Sequence, residues 1–199
     1  MLNRSFYGPM LAGLFVLATA IPASAHVGHG EAHDLLHGFM HPIGGLDHML
    51  AMVAVGMLAA LLGRRALWMV PASFMVMITV GAALAIAHLH LPFVEIGISL
   101  SVIAFGVAVA LQLPLPTAAA MALVAVFAVF HGAAHGAEMP TDASGAIYAA
   151  GFLAATGLLH IVGIGLGTGL NRLASMRDAI SRVAGGAIAI AGVFLAASV

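Results

Sequence analysis

The sequence predicts an all-α membrane protein: a polytopic helical bundle of six transmembrane helices behind a cleavable signal peptide, with both mature termini external. Three observations carry that expectation. Of 199 residues, 63% are hydrophobic and only 7% charged, against about 25% charged in a soluble domain. Six apolar stretches follow one another along the chain, each near the ~20 residues that cross a bilayer. The arginines fall on alternate joints between those stretches, as basic residues do when they stay on one side of a membrane.

The elements follow in order. Arg4 gives a short positive start, Met10 to Ile21 is apolar, and Pro22 precedes the small-residue run Ala23-Ser24-Ala25. That is the pattern of a secretory signal over residues 1–25, cleaved after Ala25. Residues 26–42 read as an external histidine-rich segment, and 43–199 as the six-helix transmembrane domain. The spans are expected at 43–62, 66–88, 94–111, 116–135, 144–169 and 180–198. Gly63-Arg64-Arg65, His90-Leu91-Pro92, Pro114-Leu115-Pro116, Met139 to Asp142 and Asn171 to Asp178 separate them. Glu95 reads as an N-terminal cap of span three, where an acid meets the positive end of the helix dipole.

Orientation comes from the arginines. Arg64 and Arg65 lie between spans one and two, and Arg172, Arg177 and Arg182 between spans five and six or at the start of six. With basic residues on the cytoplasmic side, the mature N-terminus is outside, which is also where a signal peptide leaves it. The localisation expected is therefore a cell membrane, multi-pass, with the N-terminus external after signal cleavage.

Composition also excludes whole classes of function. Six arginines, no lysine and seven acids cannot clothe a soluble surface, and no basic patch exists to contact nucleic-acid phosphates. Cysteine is absent, which removes disulfides, thiolate metal sites and cysteine nucleophiles together. No Gly-x4-Gly-Lys-[Ser/Thr] loop occurs, so the chain has no ATP-driven chemistry of its own. Histidine is the conspicuous polar residue, with 11 copies. On the predicted topology, all but His160 gather toward the external side.

Two constellations concentrate the chemistry. In His41-Pro42-Ile43-Gly44-Gly45-Leu46-Asp47-His48, the proline and paired glycines predict a broken or re-entrant backbone at the start of span one. Such a break can bend His41 back toward Asp47 and His48. In Phe130-His131-Gly132-Ala133-Ala134-His135-Gly136-Ala137-Glu138, helical spacing puts His131, His135 and Glu138 in one stripe. Gly132 and Gly136 make a parallel stripe of small residues for close helix approach. Together the motifs offer four imidazoles and two carboxylates. Nitrogen and oxygen donors without sulfur suit nickel, cobalt or zinc, and six donors fit an octahedral ion better than tetrahedral zinc.

These motifs resemble those of the HupE/UreJ family of nickel/cobalt permeases. His41-x5-Asp47-His48 early in span one matches, as does Phe130-His131-Gly132-x-Ala134-His135-Gly136-x-Glu138 in span four, with the signal peptide and six spans around them. The resemblance covers essentially the whole chain. It implies secondary transport of Ni²⁺, sometimes Co²⁺, that supplies a nickel enzyme such as hydrogenase or urease. It also implies essential roles for His41, Asp47, His48, His131, His135 and Glu138. No cofactor is expected; the metal ion is cargo, and the partners are that ion and the lipid bilayer.

Secondary candidates are the external His26, His29, His33 and His37, whose close spacing suits metal collection, and the deep His160, as a lower contact on an ion path. His88 and His90 read either as part of the mouth or as ordinary helix-end residues. The methionines, Met52 and Met57 among them, read as apolar filler. Two other classes of function share the same site: a membrane metalloenzyme, with Glu138 or Asp47 as general base, and a metal-sensing subunit that binds without transport.

Overall fold

The computed structural model describes residues 35–139, 144–170 and 177–199. The expected signal peptide, His26, His29, His33 and Arg172 lie outside the described residues. Among the described residues the chain is entirely helical: α1 (Leu35–Gly44), α2 (Leu46–Leu62), α3 (Ala66–Ile86), α4 (Val94–Ala110), α5 (Thr117–Glu138), α6 (Ser144–Leu170) and α7 (Arg177–Ala197). Four of these, α3, α5, α6 and α7, are long and apolar enough to cross a membrane. A fifth candidate is the pair α1 and α2, bent by 84° at its break, while α4 is a shorter apolar helix of 17 residues.

The break falls at Gly45, which is extended (φ −89°, ψ 117°) and starts α2 by accepting a hydrogen bond from the Met49 amide at 2.9 Å. Pro42 does not end the helix, although it can donate no amide to the ladder; α1 continues two residues beyond it to Gly44. Helix therefore runs through the boundary expected at residue 42, from Leu35 to Gly44. At the other motif, α5 extends three residues past the expected end of span four, so that Glu138 shares a helix with His131 and His135.

Close glycine contacts set the packing. Gly132 and Gly136 of α5 lie against the backbone of Ile78 and Ala82 of α3, leaving no room for a side chain there. In α6, Gly163 and Gly167 meet Val53, Gly56 and Ala60 of α2, whereas Gly165 and Gly169 face open space. Only one of the two interleaved glycine pairs in that helix is thus a packing seam.

The same contacts give helix direction. Numbers rise together across α2 and α6 (Gly56 with His160, Gly167 with Ala60) and across α3 and α5 (Ser73 with Met121, Gly136 with Ala82). They run oppositely across α4 and α7 (Gly106 with Ala189, Gly192 with Ile103). The six helices α2 to α7 therefore alternate up and down. The starts of α2, α4 and α6 gather with the ends of α3 and α5 at one end of the bundle. Arg64 and Arg65, in the turn after α2, lie at the other.

α2 is the central element: Ala51, Met52, Ala54, Val55, Leu58 and Ala59 are all fully buried. A helix apolar on every side belongs in the middle of a bundle. The surrounding helices bury one face, through Phe74 and Ile78, Val102 and Phe105, Val124 and Ala128, and expose apolar side chains such as Trp68, Val126, Ile161 and Phe194 on the other. In lipid those outward faces need no polar cover.

Candidate metal site

The site is built where three helix termini meet. The bend at Gly45 turns α1 away from the axis of α2, and α1 packs on the start of α6 through Gly38 against Tyr148 and Gly151 against Leu35. His41, in the last turn of α1, thereby comes over the end of α5. Its Nε2 lies 3.3 Å from Glu138 Oε2, and its ring is edge-on to His135 with centroids 4.7 Å apart. One ligand atom each from His41, His135 and Glu138 fall within 4.8 Å of one another. Donors bound to one ion at about 2.0–2.2 Å stand roughly 3–4.2 Å apart, so a contraction of about half an ångström closes this trio on a cation.

A second tier lies deeper. The start of α2 supplies Asp47 and His48, and the helix dipole favours Asp47 in its first turn. Asp47 Oδ1 accepts the His48 amide at 2.7 Å and faces His48 Nδ1 at 2.9 Å. An ionised carboxylate only accepts, so Nδ1 carries the proton and the lone pair sits on Nε2. That Nε2 is buried and has no protein partner. Asp47 Oδ1 thereby orients His48, the carboxylate–imidazole pairing that commonly supports a metal-binding histidine.

The His48 ring is 4.5 Å from that of His131 and 4.0 Å from that of His135. His131 Nε2 lies 2.8 Å from Ser101 Oγ on α4, and its Nδ1 is buried without a protein partner, as are both ring nitrogens of His135. Buried polar atoms left this way cost about 1–3 kcal/mol each unless something meets them. An inward-facing set of unpartnered imidazole nitrogens beside two carboxylates is what a divalent cation would satisfy.

Burial grades inward. Glu138 is 54% exposed and His41 28%, His48 and His135 are nearly buried, and His131 is fully buried. Charge balance is also met, since two carboxylates offset one dication when the imidazoles are neutral. A cleft of about 150 Å³ between α3, α5 and α6 reaches His135, and its other walls are largely apolar, Ile78, Ala82 and Phe152 among them.

The sequence stripe of His131, His135 and Glu138 thus meets two partners: His135 and Glu138 meet His41, and His131 and His135 meet His48. His37 approaches the outer tier, its ring 6.4 Å from His41 and 5.8 Å from Tyr148. His88 and His90 are exposed, and His88 (φ +59°) occupies the left-handed position that terminates α3. His160 stands apart from the cluster. It is buried against Phe74, at 5.1 Å between ring centroids, and Phe74 also touches His131 at 5.7 Å.

Sequence reasoning missed Ser101, Phe74, Tyr148 and Phe152. Ser101 had a usable signal, because a hydroxyl in an apolar span needs a partner. The aromatic residues had none until the helices were paired.

The family of HupE / UreJ proteins matches residues 14–195. Protein HupE of Rhizobium leguminosarum bv. viciae is 44% identical over 189 residues, covering 95% of this chain and 97% of that protein. No solved structure matches the chain. A match over nearly the full length establishes that the chain belongs to the HupE/UreJ family.

Proposed function

We propose that this protein is a secondary permease that carries Ni²⁺, or Co²⁺, across the bacterial inner membrane into the cytoplasm, where a nickel enzyme such as hydrogenase or urease receives it. The observation that carries the reading is the convergence of four imidazoles and two carboxylates at one end of an apolar helical bundle. A hydrated ion meets His41, His135 and Glu138 first, with His37 and the preceding His26, His29 and His33 collecting it from outside. His48 and His131 then replace more of its water, with Asp47 holding His48 and balancing charge. Below them Phe74 separates this cluster from His160, which serves as a lower contact.

Family membership supports a transporter rather than an enzyme. The position of Arg64 and Arg65 at the end opposite the histidines supports an external mouth. Six crossings require α2 and α4, each of 17 residues and about 25 Å long, to span a core of about 30 Å. Local thinning of the bilayer accommodates such short spans at modest cost.

The test is uptake of radioactive nickel into proteoliposomes, with unlabelled cobalt, zinc and copper as competitors, for the native protein and His131→Ala. Saturable entry that the variant loses is expected, and the order of competition names the preferred ion. Tight binding without entry would overturn transport and favour a sensor or metalloenzyme at the same site.

A further inference from the structure

We propose that Ser101 is a positioning residue for the metal site: its hydroxyl sets the tautomer of His131, so that Nδ1 is the nitrogen offered to the ion. The proposal rests on the reading of the histidine cluster as a cation site, and it adds a residue from α4, a helix that contributes no ligand.

The argument is a count of protons. Ser101 is fully buried, with Oγ 2.6 Å from the Ile98 carbonyl and 2.8 Å from His131 Nε2. A hydroxyl has one proton to donate, and a carbonyl oxygen can only accept. The short contact to Ile98 therefore takes the serine proton. Oγ is left as an acceptor toward the imidazole, and His131 must donate from Nε2–H. A neutral imidazole carries one N–H, so its lone pair is on Nδ1, the atom that is buried without a protein partner.

This mirrors the neighbouring ring. His48 gives its Nδ1 proton to Asp47 and keeps Nε2 free, and the two rings stand nearly perpendicular, at 89° with centroids 4.5 Å apart. Each inner imidazole is thus held by a group of its own, one a carboxylate and one a serine, with one lone pair left over. Removing Ser101 frees His131 to take either tautomer, and a ring bearing Nδ1–H cannot ligate through that atom.

The experiment has two readouts. The first is ring ¹⁵N NMR of histidine-labelled protein in detergent without metal, with the His131 signals identified by their loss in His131→Gln. A protonated Nε2 and a bare Nδ1 are expected in the native protein, and a mixture of tautomers in Ser101→Ala. The second is nickel binding at equilibrium. Ser101→Ala is expected to weaken it about 10–100-fold, the usual effect of losing an outer-shell partner, while Ser101→Thr, which keeps the hydroxyl, restores most of the affinity. A native His131 protonated on Nδ1 overturns the proposal, and this measurement needs no variant of Ser101 to fold. Unchanged affinity in Ser101→Ala overturns it as well. Native affinity in His131→Gln sinks the cation site itself, a failure that the native tautomer signal keeps distinct from the first.

Discussion

The rings of His48 and His135 lie 4.0 Å apart between centroids, although one residue opens α2 and the other sits in the last turn of α5. His135 also touches His41 of α1 at 4.7 Å, so it is the one imidazole shared by both tiers. His135→Ala should therefore weaken nickel binding more than His41→Ala, which removes an outer ligand alone. We expect a loss of more than about 100-fold for His135→Ala, beyond the range seen for outer-shell changes. Equilibrium dialysis on the purified proteins measures both. Equal losses would mean that His135 has no joint role.

Ligation needs imidazoles without a proton on the ligating nitrogen, and binding a cation displaces any proton there. Uptake should therefore weaken as the external pH is lowered, because protons compete with the cation for the ligating ring nitrogens. Proteoliposomes with fixed internal pH give the profile. A rate that stays level however far the external pH is lowered while the protein remains folded would count against imidazole ligands.

Asp47 separates orientation from ligation. If its task is to accept the Nδ1 proton of His48, asparagine retains an acceptor oxygen while alanine retains nothing. Asp47→Asn should then keep a measurable part of the nickel affinity, reduced by the lost charge, and Asp47→Ala should bind far more weakly. Identical losses in the two would place the role of Asp47 in its charge or in direct coordination.

Much of this arrangement was legible in the sequence, for identifiable reasons. Apolar runs long enough for lipid, punctuated by proline, glycine and arginine, are one-dimensional signals, so the all-helical bundle and its joints could be read directly. The break before span one was legible too, because Pro42, Gly44 and Gly45 crowd together; only its seat at Gly45 needed coordinates. The spacing of His131, His135 and Glu138 correctly implied one helical face. It did not imply that the face meets two different partners, since that depends on the 84° bend carrying His41 over Glu138. Ser101 and Phe74 were hidden for the same reason: their contacts with His131 are set by helix pairing, which leaves no local pattern.

The seam between α3 and α5 positions both tiers, and its tolerance is testable. A methyl group at Gly132 would run into the Ile78 carbonyl, whereas one at Gly165 meets nothing. Gly132→Ala should cost about 1–3 kcal/mol through overpacking and shift the neighbouring His131. Gly165→Ala should be neutral or gain up to about 1 kcal/mol from helix propensity. Thermal unfolding in detergent compares the two; a Gly132→Ala protein as stable as Gly165→Ala would show that the seam relaxes freely.

His160 tests whether the path continues below the cluster. It is 2% exposed, both ring nitrogens lack a protein partner, and the Phe74 ring stands between it and His131. A histidine kept for packing alone would be expected to bond at least one nitrogen, because leaving both unmet in a buried site is costly. If His160 stabilises an ion in transit, His160→Leu should leave equilibrium binding at the upper cluster unchanged and slow entry. Loss of about 1.4 kcal/mol at the highest barrier corresponds to a tenfold lower rate. Uptake and binding measured on one preparation separate the effects: slow entry with native binding marks a contact on the path. Native entry would make His160 a packing residue and end the path reading at Phe74.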